Sequence, residues 1–177
     1  MGILSDVEGL RQRARTHLEA GAVTDEYKAN RAEVVAILNT VLATELMCVL
    51  RYKRHYYTAV GINAASAKKE FLEHAHEAQQ HADRVAARIA ELNGHPDFCP
   101  DTIAKCSLSQ YTNAETVHEM IKEDLIAERI AVESYSEVVR WLGENDVTTR
   151  KLMADILMVE EQHAADMQRL YEILRPI

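Results

Sequence analysis

Three glutamates and two histidines stand where amphipathic helices ordinarily keep leucine. Apolar positions advancing by alternating threes and fours mark the buried face of a helix. One such stripe reads Val34, Leu38, Val41, Glu45, Cys48, Tyr52. Another reads Ile121, Leu125, Glu128, Val132, Tyr135, Val139, Leu142, and a third Met153, Ile156, Glu160, His163, Met167, Leu170, Leu174. A tyrosine follows Glu45 and Glu128 at seven residues, and His163 follows Glu160 at three. An isolated buried carboxylate costs several kcal/mol or takes up a proton, so three of them need compensating positive charge. Lysine and arginine are scarce on these stripes, which leaves a bound divalent cation as the economical source.

A fourth stripe runs Phe71, His74, Ala78, His81, Val85, Leu92. His81 lies on it, but the position three before is Ala78, and the nearest glutamate in "EAQQHADR" is Glu77. At about 100° per residue Glu77 points a quarter-turn away from Ala78. Its i, i+4 relation to His81 still leaves a long side chain near that face, so Glu77 is a candidate ligand. Glu45 and Ala78 are 33 apart and Glu128 and Glu160 32 apart, an approximate internal duplication with one acidic member missing. His74 reads as a packed histidine at the bundle edge.

Punctuation bounds the elements that must carry these residues. Ser5 and Glu8 form a capping-box pattern opening a short helix that ends near Gly21. A long helix is predicted from about Thr24 to the turn at Gly61, and Asn63 caps the next, which ends at "LNGHP" with Gly94 as its left-handed residue. Residues 94–111 hold two of the three prolines and no sustained period, hence a long connection. Thr112 and Glu115 form a second capping box for a helix reaching Gly143, and Asp146 opens the last, which runs to Arg175. Tight turns make the paired helices antiparallel, and the long connection can cross the length of a bundle. The expected fold is all-α: a four-helix bundle over residues 24–177 with one long crossover, and an N-terminal helix extension over 1–23.

The 177 residues, six glycines and three prolines among them, suit one helical domain. A net charge of −8 argues against nucleic acid as a partner, and Arg11, Arg13 and Arg15 read as the solvated face of a short helix. No unbroken apolar run approaches the ~18–20 residues of a membrane span, and "MGILSDVEGL" lacks a signal peptide's pattern, so a cytoplasmic location without membrane contact is expected. Cys48, Cys99 and Cys106 lack metal-finger spacing and read as reduced thiols.

Residues 24–175 resemble the ferritin-like di-iron carboxylate bundles, in which two helices give one glutamate each and two give Glu-x-x-His. "TELMCVLRYKRHYY", "HADR", "EDLIAERI" and "DILMVEEQHAADM", in that order, are similar to a bacterioferritin-type ferritin, with Glu45, His81, Glu128, Glu160 and His163 as its ligands and Tyr52 and His55 beside them. Where that family carries a bridging glutamate this chain has Ala78, and where haem-binding members carry methionine it has Gln79, so no haem of that kind is expected. The extra N-terminal helix is more similar to Dps-like miniferritins with a bacterioferritin-type centre. The resemblance therefore implies a homo-oligomeric shell of 12 or 24 subunits.

It also implies iron storage and detoxification by a ferroxidase, with oxygen or hydrogen peroxide as oxidant. Glu45 and His81 would serve one iron, Glu128 and His163 the other, and Glu160 would bridge. Tyr52 and Tyr135 would orient ligands through hydrogen bonds, or simply pack. Losing the bridge at Ala78 implies weak or single-site occupancy and slower oxidation, with Glu77 or water filling part of the gap. Glu73 and Glu77, off the stripe, correspond to a face that looks into the shell cavity and could collect iron. The competing reading is a ferritin-like structural or interaction bundle that has lost ferroxidase activity.

Overall fold

A computed structural model describes residues 6–16, 18–24, 26–61 and 64–174. Six α-helices, one 3-10 turn (Leu18–Ala20) and no strand occur among the described residues: α1 (Val7–Thr16), α2 (Arg31–Thr58), α3 (Ala64–Glu91), α4 (Pro100–Cys106), α5 (Val117–Leu142) and α6 (Val147–Ile173). The architecture is a four-helix bundle with one long crossover. α2 lies against α3 and α5 against α6, and the crossover carrying α4 packs on α2.

Local chemistry sets the helix ends, in several places away from the positions read from sequence. α2 begins at Arg31 rather than near Thr24, because Asn30 accepts the N–H groups of Ala32 and Glu33. The preceding segment is drawn elsewhere: the Tyr27 hydroxyl donates to Asp146 at 2.8 Å. Two Thr-x-x-Glu patterns follow each other before α5, and the capping box that forms is Thr116 with Glu119, not Thr112 with Glu115. Asp146 caps α6 by accepting the Thr149 N–H. At the end of α3 the left-handed residue is Asn93 (φ 56°), not Gly94. Gly94 serves close packing: a Cβ there would stand 2.8 Å from the Val35 methyls. In α1 the Asp6 carboxylate accepts the Gly9 N–H at 2.9 Å, while Ser5 and Asn63 lie outside the described residues. The connection expected to lack structure contains α4, opened by Pro100 at its first turn.

α2 also corrects the reading of apolar runs. By length and composition alone it could cross a membrane, although more than half of the relevant stretch is buried in the bundle. Asn39, Thr40, Thr44 and Glu45 break any unbroken run while leaving the stretch apolar on average. Its buried face also carries Glu45, Arg51 and His55, which turn into the protein.

The core divides in two. One apolar cluster includes Leu38, Val41, Val85, Tyr135 and Ile156; the other includes Cys48, Tyr52, Phe71, Ala78, Ile121 and Met167. Along each of the four long helices the residues between these clusters are Glu45, His81, Glu128, and Glu160 with His163. The stripe on α5 is rotated from the one read in sequence: Asp124, Ala127 and Ala131 are buried, whereas Leu125, Val132 and Val139 are half-buried.

Candidate metal centre

The polar layer is nearly dry. Glu45, His81, Glu128, Glu160 and His163 are each at most 4% exposed. Their polar atoms converge in two groups. Glu45, His81 and Glu160 form one, and His74, Glu128 and His163 the other; within each group the potential ligand atoms lie within 4.8 Å of one another. Glu160 stands between them. Its Oε1 is 2.8 Å from His81 Nδ1 and its Oε2 is 3.5 Å from His163 Nδ1. Glu45 Oε2 lies 3.5 Å from His81 Nδ1, and Glu128 Oε2 lies 3.8 Å from His163 Nδ1.

These contacts leave much of the hydrogen-bonding capacity unused. Glu128 Oε2 is a buried atom with no hydrogen-bond partner, while His81 Nδ1 and Glu160 Oε1 face each other at 2.8 Å. Buried polar atoms are otherwise paired in the great majority of cases. Potential ligands converging from four helices fit a cation-binding layer, and the mixed carboxylate and imidazole donors suit iron, manganese or zinc.

Two tyrosines hold the carboxylates from opposite sides. Tyr135, on α5, donates to Glu45 Oε1 on α2 at 2.7 Å. Tyr52, on α2, donates to Glu128 Oε1 on α5. Each hydroxyl thus crosses to the other helix pair and fixes one oxygen, leaving the second directed at a histidine. Glu77 does not turn toward His81. It reaches α6 instead, where its Oε2 meets His163 Nε2 at 2.5 Å, with its own side chain about half exposed. This contact fixes which His163 nitrogen faces the layer.

Electrostatics reflect the crowding. Burial, then the Glu45 and Glu128 carboxylates, push Glu160 well above the usual carboxylate range. Burial lowers His163 and His81, but carboxylate partners outweigh it: Glu128 and Glu160 bring His163 up to about 11, and Glu160 and Glu45 bring His81 up to about 9. Burial also opposes ionisation of Glu128, which His163 nonetheless holds below its ordinary value. His74 moves the other way, to about 4, through burial and then the neighbouring His163.

Two features of the site escape the stripe analysis. His74, read as a packed histidine, is buried and stacked on His163 and also belongs to the second group of potential ligands. It lies four residues before Ala78 and seven before His81 on the same stripe, a spacing visible in the sequence. Arg51, 1% exposed, forms a separate buried network, donating from Nε to Asp124 at 3.0 Å and from Nη1 to Ser109 at 2.6 Å and the Gln110 carbonyl at 3.0 Å. His55 Nδ1 meets the other Asp124 oxygen at 2.9 Å. The network ties the crossover to α2 and α5 beside the centre.

A cleft of about 550 Å³ opens beside His74 and His163, with Glu70, Glu73, Glu77 and Asp166 on its walls. Its acidic lining makes the local potential negative beside His74 and His163.

Residues 35–177 match the Ferritin family, described as a ferritin-like domain. The chain is 28% identical over 149 residues to a bacterioferritin of Rhodobacter capsulatus, covering 82% of this chain and 88% of that protein. A bacterioferritin of Brucella melitensis is also 28% identical, over 148 residues, covering 82% and 86%. Among solved structures, the bacterioferritin-related protein of Bacteroides fragilis, described as a dodecameric thioferritin, superposes with a TM-score of 0.80 at 28% identity. That superposition covers 83% of this chain and 89% of that one. The Dps protein of Thermosynechococcus elongatus shares the fold, with a TM-score of 0.75 at 20% identity, over 78% and 89% of the two chains.

Proposed function

The chain belongs to the ferritin-like family, and on that premise we propose that it stores iron, oxidising Fe(II) to Fe(III) in the buried layer between its two apolar clusters. The observation that carries the reading is Glu160: its two oxygens face two histidines, each within a separate group of potential ligands. Glu45, His81 and Glu160 take one Fe(II); Glu128 and His163, sharing Glu160, take the other. Carboxylates favour the trivalent product. Two Fe(II) each give up one electron; with two protons these convert oxygen to hydrogen peroxide, or hydrogen peroxide to two waters.

The chain's own residues prepare that exchange. Tyr52 and Tyr135 hold Glu128 and Glu45 in place. The apolar clusters limit water above and below the layer. His81 and His163 surrender protons as cations arrive, because a ligating imidazole nitrogen cannot keep one. Glu77 keeps His163 oriented, and with Glu73 it gathers cations at the cleft. With Ala78 where a second bridging carboxylate would stand, only Glu160 links the two cations, and oxidation is slower than in a six-ligand ferritin.

The chain assembles as a homo-oligomeric cytoplasmic shell of twelve subunits. The dodecameric state described for the Bacteroides fragilis protein supports the number. Light scattering after gel filtration measures it directly.

Aerobic loading with Fe(II), followed by gel filtration and iron analysis, tests the storage reading. The wild type is expected to retain iron in the shell fraction, and Glu45→Ala/Glu160→Ala to retain little. Ala78 also favours a second reading, a structural bundle without catalysis. Equal, low iron retention by both proteins would support that reading and reject ours.

A further inference from the structure

We propose that His74 is a metal ligand, giving the second cation, together with Glu128 and His163, the donor that Ala78 cannot give. The assignment rests on the two-cation reading above and specifies how the defective half of the centre is completed.

The two helix pairs are alike in pattern but not in composition. In α6 the carboxylate three before the histidine is present as Glu160, and the residue four before Glu160 is Ile156, buried in an apolar cluster. In α3 the corresponding carboxylate position is Ala78, and four residues before it stands His74. The helix that lacks the bridge therefore carries an imidazole one turn away on the same face, where its counterpart carries a hydrocarbon. Residues four apart on a helix are neighbours, so the two positions address the same region of the core.

The ring is placed for that role. His74 is 2% exposed and stacks on His163, with centroids 3.9 Å apart and planes inclined by 21°. Its Nδ1 lies 3.3 Å from the Tyr52 hydroxyl, which itself donates to Glu128. Since Tyr52 gives its proton to Glu128, His74 Nδ1 carries the hydrogen of that contact and must release it to ligate; the neighbouring Glu128 Oε2 is buried and has no hydrogen-bond partner. The opposite nitrogen, Nε2, points to the cleft, 3.9 Å from Glu70 Oε2. One nitrogen each from His74 and His163 and one Glu128 oxygen lie within 4.8 Å of one another. Because an imidazole lone pair lies in the ring plane, reaching the ~2.0–2.2 Å bonds of imidazole and carboxylate ligands requires the His74 ring to turn out of its stack on His163.

An imidazole is not equivalent to the carboxylate it replaces. It offers one neutral lone pair to one metal and cannot bridge. The second cation is therefore bound, but its only link to the first is Glu160. The centre also carries one negative charge fewer, so it holds divalent ions while stabilising the trivalent product less.

Anaerobic titration with Co(II), a probe that needs no oxidation, counts the sites through visible absorbance and metal analysis. Wild type is expected to bind two Co(II) per subunit, His74→Phe one, and Ala78→Glu/His74→Phe two, because the restored carboxylate makes the imidazole dispensable. Circular dichroism and gel filtration check that each variant folds and assembles. His74→Gln, which keeps a polar partner for Tyr52, replaces the phenylalanine variant if that one fails. Two Co(II) in the folded single variant would overturn the assignment of His74 while sparing the two-cation reading. One Co(II) in the double variant would overturn it as well, tracing the loss to disturbed packing around His163. A wild-type chain that bound fewer than two would defeat the assignment, and one that bound none would also defeat the reading of the layer as a metal centre.

Discussion

Without a bound cation the charges of the layer must balance among themselves, and that balance depends on pH. His81 is held up to about 9 and His163 up to about 11, against about 6.5 in an unfolded chain. Between those values the folded protein keeps protons that the unfolded chain has released. Stability contributed by a raised histidine is fully present below pH 6.5. It is lost as pH rises through about 9 for His81 and about 11 for His163. Glu160 acts with the same sign, since its raised carboxyl binds a proton more tightly in the folded chain and its burial is penalised as pH rises. The depressed Glu128 contributes stability above the ordinary carboxylate range and loses it only in acid. One proton retained on folding corresponds to about 1.4 kcal/mol per pH unit. Counting only one, the change from pH 7 to pH 9 costs the metal-free protein about 3 kcal/mol, a large share of the ~5–15 kcal/mol of a typical domain. Urea denaturation in chelator at fixed protein concentration is expected to show midpoints falling from pH 7 to 9 at constant m-value. Saturating Zn(II) should reverse the trend, because the metal replaces those protons and binds more tightly as pH rises. Glu45→Gln/Glu160→Gln should flatten the decline. A midpoint that stays level or rises over this range in chelator would refute the charge-balance argument.

Other perturbations separate the parts of the site. Tyr135→Phe removes the donor to Glu45 Oε1 and is expected to weaken Zn(II) affinity by ~10–100-fold, measured by competition with a chromophoric chelator. Asp124→Ala leaves Arg51 charged and buried without its carboxylate, and should cost about 3–5 kcal/mol by urea denaturation. It should also speed amide exchange in residues 107–111, because Arg51 ties Ser109 and Gln110 to the bundle. Glu77→Gln lets the His163 ring turn; Zn(II) affinity should fall while the denaturation midpoint in chelator changes by less than about 1 kcal/mol, since the Glu77 side chain is half exposed.

The ferritin-like bundle was legible because its signals are long and periodic. Glu45, Glu128, Glu160, His81 and His163 stood out because carboxylates and imidazoles interrupt hydrocarbon stripes, and the structure brings all five into one layer. Helix starts were less legible where equivalent signals compete. Thr112 and Thr116 each precede a glutamate by three, and the apolar period resuming at Met120 and Ile121 selects the second. Nothing local to Thr24 shows that Tyr27 will be drawn to Asp146 and leave Asn30 to open α2. On α5, Asp124 reads as a surface residue until Arg51, 73 positions earlier, is brought against it. His74 shows the limit of single-residue reading. A histidine on an apolar stripe is ordinarily a packed one, and the potential-ligand group that His74 shares with Glu128 and His163 becomes visible only in three dimensions.

The proposed activity is tested most directly by stopped-flow measurement of aerobic Fe(II) oxidation, followed by ultraviolet absorbance, for the wild type, Glu160→Ala and Ala78→Glu. The expected order is Ala78→Glu fastest, wild type intermediate, and Glu160→Ala no faster than Fe(II) in buffer, since that variant loses the carboxylate that faces both histidines. A wild-type rate indistinguishable from that of Glu160→Ala would contradict the assignment of oxidation to this layer.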